Sequence, residues 1–122
     1  MDERVKKIRS FRDLEVWQLG MKIVVDIYTT TKNFPKEEVY GLINQMRKAT
    51  VSVPSNIAEG FNRLSNKEYK HFLFISLGSC GELETQVEAC FLLKYINESE
   101  RNSLLEMLDH ESRMLRNLIK KL

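Results

Sequence analysis

The sequence predicts an all-α protein, an up-and-down antiparallel four-helix bundle, and three observations carry that prediction. Apolar residues recur at spacings of three and four along four long stretches. Five glycines and two prolines in 122 residues are too few turn formers for a sandwich or barrel, which needs a turn about every ten residues. The breaks between periodic stretches are short, roughly three to six residues, and short connections make neighbouring helices antiparallel. The length suits one domain, divided into a basic N-terminal arm over residues 1–10 and the bundle over residues 11–122. Apolar side chains make up 43% of the chain, with Trp17, four tyrosines and six phenylalanines, enough for a real core and contrary to disorder.

Residues 1–9 hold Met1, Val5 and Ile8 among charges, the pattern of a mobile lead-in. Asp13 is placed to cap the first helix, along which Leu14, Trp17, Met21, Val24 or Val25, and Tyr28 form one apolar face through about Thr31. Gly20 marks a candidate close crossing. Thr29 to Thr31, then Asn33, Phe34 and Pro35, end the helix, because proline holds its predecessor out of the helical region. Pro35 suits the first position of a second helix, with Glu37 and Glu38 in the first turn, where the helix dipole favours anions. Leu42, Met46, Ala49, Val53 and Ile57, with Ile43 beside them, form its stripe. Pro54 is expected to kink this helix or free a carbonyl near Thr50, and Gly60 to close it as a left-handed cap.

Ser65 opens a third helix, with Glu68 completing a capping box, and that helix extends from Asn66 to about Tyr95. Phe72, Leu73, Phe74, Ile75 and Leu77 point in all directions around it. Three neighbours leave one side of such a helix open, so a second subunit is the expected cover. Ser76, Gly78, Ser79, Cys80 and Gly81 are small enough to let helices approach closely, within the bundle or between subunits. Asn97 and Glu100 cap a fourth helix, whose seam of Leu104, Leu108, Leu115, Leu118 or Ile119, and Leu122 is interrupted by Glu111. Lys120 and Lys121 in its final turn suit the dipole.

The formal net charge is only +2, but its distribution is uneven. Arg4, Lys6, Lys7, Arg9 and Arg12 crowd the start, and Arg47, Lys48, Arg63, Lys67 and Lys70 outnumber Glu59 and Glu68 between residues 41 and 70. Residues 71–100 reverse the sign, with Lys94 against Glu82, Glu84, Glu88, Glu98 and Glu100. An assembly of such chains would carry a basic rim and an acidic band, an asymmetry that steers partners. The most apolar run, Phe72 to Leu77, is far too short to cross a bilayer, so no membrane partner is expected. The start lacks the pattern of a secretory leader, and the expected compartment is the reducing cytoplasm.

Enzymatic chemistry finds little support. Glu68 and His71 form an E-x-x-H pair of the sort used twice in di-iron bundles, but Glu106 and His110 are spaced by four and there is no third histidine. They read as a capping glutamate and a partly buried histidine, with no metal site. Cys80 and Cys90 lie ten apart on one helix, a rise of about 15 Å, so they cannot bridge each other. Neither has a basic sequence neighbour to lower its pKa, and both read as buried structural thiols. No cofactor and no catalytic residue is expected. Arg63, Lys67 and Lys70 beside the N-terminus of the third helix are suited to phosphate, with Arg47, Lys48 and the arm residues Lys6 and Lys7 adding to them. Ser52, Asn56 and Glu59 form a polar stripe at i, i+4 and i+7 with Arg47 about a turn before. Three readings stand for it: a structural or interface network, in which Glu59 pairs with Arg47 of a neighbouring chain, a ligand-binding site, and catalysis.

Gln45-Met46-Arg47-Lys48-Ala49, Val51-Ser52-Val53-Pro54-Ser55-Asn56-Ile57-Ala58-Glu59-Gly60, and Gly78-Ser79 with Glu82-Leu83-Glu84 resemble the four-helix bundle proteins encoded within intervening sequences of bacterial 23S rRNA genes. Phe11-Arg12-Asp13-Leu14-Glu15-Val16-Trp17 also fits, so the likeness covers about residues 11 to 119. The resemblance implies an up-and-down bundle assembled as a homopentameric ring. It extends to the accessory variability determinant of diversity-generating retroelements, a basic pentameric barrel that binds nucleic acid. It marks Ser52, Asn56, Glu59 and Gly60 as signature positions and places Arg47 and Lys48 where the family has a basic pair. It brings no enzymatic activity and no cofactor. The expected function is therefore a non-enzymatic homo-oligomer binding structured RNA or other nucleic acid through local basic patches. Phe72, Phe74, Ser79 and Glu82 join the signature residues as structural or interface positions. The alternative is a protein-interaction scaffold that engages a basic partner through Glu82, Glu84 and Glu88.

Overall fold

The computed structural model describes residues 7–122. Four helices carry the fold, α1 over Glu15–Thr31, α2 over Asn44–Phe61, α3 over Asn66–Leu92 and α4 over Glu98–Lys120. Among the described residues there is no strand. Each helix packs on its sequence neighbours and α1 closes the bundle against α4. The tight connections at 62–65 and 93–97 enforce the up-and-down course. The core threads all four helices through Ile23, Ile27, Met46, Val53, Ile57, Leu73, Leu83, Val87, Leu108 and Leu115, each almost fully buried.

Entry into α1 differs from expectation. Ser10 caps a 3-10 turn over Phe11–Asp13, and Asp13 is its reciprocal partner, its carboxylate accepting from the Ser10 N–H at 3.1 Å. Leu14, extended and without a side-chain cap, then starts α1. The buried face of α1 is Val16, Gly20, Ile23, Ile27 and Thr31, not the series Leu14, Trp17, Met21, Val24 or Val25, and Tyr28. Leu14, Trp17 and Val24 are half-buried, whereas Met21, Tyr28 and Val25 are 39%, 41% and 61% exposed. Both series repeat at helical spacing, so periodicity alone cannot choose between them. The stripe containing Gly20 goes inside because its missing side chain admits neighbouring helices. A methyl group built there would meet Glu111 Oε2 at 2.9 Å and Pro54 Cβ at 3.5 Å.

The second helix does not run straight from Pro35. Lys36–Glu38 form a 3-10 turn and Val39–Ile43 a π turn broken at Gly41, whose φ of −110° and ψ of −111° are not helical. Glu38 holds this segment, one carboxylate oxygen accepting the Leu42 N–H and the other the Tyr95 hydroxyl at 2.7 Å. From Asn44, α2 buries Met46, Ala49, Val53 and Ile57 as the pattern predicts, and continues through the buried Pro54 as one element. Gly60 is not a left-handed cap, for no glycine among the described residues has positive φ. It lies inside the last turn, where a methyl group would meet Phe72 Cβ at 2.9 Å and the Tyr69 carbonyl at 3.1 Å. Its function is close approach of α2 and α3.

Ser65 caps α3 by accepting the Glu68 N–H, but the box is half made. The Glu68 carboxylate takes the Ser65 hydroxyl at 3.3 Å in place of its backbone N–H. At its other end α3 stops at Leu92, short of Tyr95, in a Schellman motif. Lys94 adopts a left-handed φ of 66° and donates its N–H to Phe91, while the Tyr95 N–H reaches the Cys90 carbonyl. The Asn97–Glu100 capping box of α4 is complete. Its seam buries Leu104, Leu108 and Leu115, and Glu111 lies on that seam with no exposure at all.

Candidate interaction surfaces

The expected basic set divides on folding. Arg47 is half-buried and committed to the end of α1. Its Nε donates to Thr31 Oγ1 at 3.0 Å, a second nitrogen donates to the Tyr28 carbonyl, and the guanidinium stacks on the Tyr28 ring. This is a cation at a helix C-terminus, where the dipole favours it. Arg63 is likewise engaged, 3.0 Å from Glu59 and 3.7 Å from Glu68, and it lies over the Phe72 ring. Lys48 and Lys67 are exposed and Lys70 is half-exposed. Lys7 is exposed, and Lys6 lies outside the described residues, as does Arg4.

The polar stripe is brought together with Ser79 across the α2–α3 contact. Ser52 Oγ and Ser79 Oγ are 2.9 Å apart, and the Asn56 amide donates to both the carbonyl and the hydroxyl of Ser52. Deeper in the same seam, Ser76 donates to the Val53 carbonyl. Three of the positions marked in the sequence thus form one interhelical clamp. Glu59 points the other way along α2, paired with Arg63 of its own chain. Glu82 is exposed beyond Ser79 on α3.

The acidic band is partly consumed internally. Arg101 grips Glu88 with both arms, at 2.6 and 2.9 Å, which holds that carboxyl below the usual glutamate range. Glu84, Glu88 and Asp109 line a shallow groove between α3 and α4 with Thr85 and Leu105. Of the E-x-x-H pair, Glu68 is bound to Ser65 and Arg63, and His71 is exposed, its ring packed edge-on against Phe72. Cys80 and Cys90 are buried free thiols. Burial first, then the charges of Glu111 and Glu38 respectively, push them up to about 12 and about 11. No group of three or more metal-ligating side chains occurs among the described residues, and no helix of the described residues is long and apolar enough to cross a membrane.

Apolar side chains stand exposed at Val39 and Tyr40, at Leu64 and at Leu92 and Leu93 near helix ends, and on two helix faces within the bundle. Trp17, Met21 and Val24 of α1 and Val51, Pro54 and Ala58 of α2 line a groove of about 290 Å³. On α3, Phe74 is 55% and Ile75 38% exposed, followed along the same side by Gly78 and Gly81, at which an added methyl group would meet open space. Phe72, expected as a structural or interface position, packs within the chain against Gly60. The α3 ridge was legible in the sequence from its all-round apolarity. The groove was missed because its α1 residues, Trp17, Met21 and Val24, had been assigned to the inner face of that helix.

A family model described as 23S rRNA-intervening sequence protein matches residues 12–117. The crystal structure of a protein of unknown function from the S23 ribosomal protein family of Bacteroides thetaiotaomicron superposes with a TM-score of 0.78 at 21% identity, covering 86% of this chain and 98% of that one. No curated protein matches the chain.

Proposed function

The chain belongs to the 23S rRNA-intervening sequence protein family, and from that premise we propose that it is a non-enzymatic, self-assembling helical module, a homo-oligomer of the pentameric ring type, that presents phosphate-binding lysines in several copies. The observation that carries the reading is the pair of unlike apolar faces left outside a closed bundle, the α1–α2 groove and the Phe74–Ile75 ridge of α3. Two different faces joined head to tail make a heterologous contact, which closes into a ring when its rotation allows. Charge supports the same pairing. Lys48 stands one turn before Val51 and two before Ser55 at the groove's α2 wall, and Glu82 stands two turns beyond Ile75 on the ridge.

Nucleic-acid binding follows from repetition. With Arg47 and Arg63 engaged internally, each subunit offers Lys48, Lys67 and Lys70, a weak patch by itself. A ring multiplies it, and every phosphate neutralised adds to a salt-dependent affinity.

Light scattering on the wild type and on Phe74→Glu and Met21→Glu tests the assembly. Both variants are expected to give folded monomers by circular dichroism. A monomeric wild type, or variants that assemble unchanged, overturns the reading. Binding to a structured RNA and to duplex DNA across a salt series tests the lysines. The logarithm of affinity should fall linearly with the logarithm of salt, and Lys67→Glu with Lys70→Glu should abolish retention without changing assembly size. No binding at low salt removes nucleic acid and leaves a basic protein partner for Glu82 and Glu84.

A further inference from the structure

Glu111 is a buried carboxyl in the core that the preceding function does not use. It occupies a leucine position of the α4 seam, has no exposure, and neither carboxyl oxygen finds a hydrogen-bond partner among the described residues. An uncompensated buried carboxylate is among the costliest arrangements a core can hold, so the group is carried as the neutral acid. Its surroundings explain both its placement and its isolation. On α1 it faces Gly20, whose absent side chain leaves the space that Oε2 fills, and Pro54 of α2 packs against that same position, its Cβ 3.5 Å from where a methyl group would sit. Neither residue titrates. On α3 the titratable neighbour is Cys80, itself held as a neutral thiol and hydrogen-bonded to Ser112. Arg116 and Glu84 act on Cys80 but contribute nothing resolved at Glu111, whose shift, up to about 8, comes from desolvation. Thr50, one turn before Pro54 on the buried side of α2, also keeps an unpartnered hydroxyl.

We propose that Glu111 is a pH-sensitive latch on the α1–α2 crossing: as the neutral acid it lets Gly20 and Pro54 close over it, and on losing its proton it forces that crossing to loosen and admit water. Pro54 is also part of the wall of the α1–α2 groove, so the latch sits directly beneath the surface assigned to self-association. Control of assembly by the latch rests on that assignment. Control of the fold does not.

The direction follows from linkage. With the native carboxyl titrating at about 8 and the unfolded one at the ordinary 4.5, the native state holds a proton in the intervening range that the unfolded state has lost. Stability is therefore greatest below the lower value, declines as pH rises towards the upper one, and levels off beyond it, with the folded-to-unfolded ratio falling by up to about tenfold per pH unit in between. Glu111→Gln keeps the shape and cannot ionise.

The test is urea unfolding of wild type and Glu111→Gln from pH 5 to pH 9, with light scattering on the same samples and carbon-13 NMR of the Glu111 carboxyl. The latch predicts a wild-type decline that the glutamine variant lacks, and a carboxyl titrating near 8. Equal slopes in the two proteins, or a carboxyl titrating near 4.5, overturn it. Should Glu111→Gln fail to fold, the wild-type NMR titration alone decides. An assembly that dissociates with rising pH in the wild type and not in the variant extends the latch to association. If neither protein assembles at any pH, the association reading fails and the unfolding slopes still judge the latch.

Discussion

Gly60 in the last turn of α2 and Gly78 in the middle of α3 are both helical glycines, yet folding gives them opposite tasks. At Gly60 a methyl group would collide with Phe72 Cβ and with the rigid backbone oxygen of Tyr69. Gly60→Ala is therefore expected to lower stability by about 1–3 kcal/mol in thermal or urea unfolding, the ordinary cost of overpacking. At Gly78 the added group meets nothing, so Gly78→Ala should stabilise the isolated chain by about 1 kcal/mol through helix propensity. The cysteines allow a second check at this scale. Both are buried with thiols pushed up to about 12 and about 11, so the thiolate that reacts is scarce at neutral pH. Thiol-specific reagents should label neither cysteine in the native protein at a rate above that of global opening, and both at once in urea. The buried state of both thiols was readable from the sequence, which gives them no basic neighbour. The burial of Glu111 was visible there only as an interruption of a leucine seam.

Local chemistry governs the helix ends. Asn97→Ala removes one half of a complete capping box and is expected to cost about 1 kcal/mol, measured as a shift of the unfolding midpoint. Lys94 is a non-glycine residue in the left-handed position of the α3 terminus, a place where glycine is unstrained. Lys94→Gly should therefore raise stability, by about 1 kcal/mol, against the general trend that glycine destabilises. The starts of α3 and α4 and the stripe of α2 could be read directly, because caps and periodicity are contained within a few residues. The π turn before α2 could not be, since it depends on Glu38 reaching Tyr95, a contact between residues far apart in sequence.

For the molecule as a whole, apolar side chains are left outside a bundle that already closes on itself, and two of the places where they gather are helix faces of different shape, the α1–α2 groove and the Phe74–Ile75 ridge. Assembly should therefore be sensitive to a single charge placed on either face, as at Phe74 or Met21, while helix content stays constant. The sequence by itself determined that there are four helices, where α1 ends and where α3 and α4 begin, that the chain falls in its family, and that α3 is too apolar to be covered by its own neighbours. Each of these depends on residues close together along the chain. Only the tertiary structure decided which of two apolar stripes of α1 turns inward, which arginines are engaged as internal partners, and that Glu111 is sealed in the core with no hydrogen-bond partner among the described residues. A helix period of 3.6 residues marks an apolar stripe but not its direction. That choice was made by shape, where the bare backbone of Gly20 allowed α1 to close against Pro54 and Glu111.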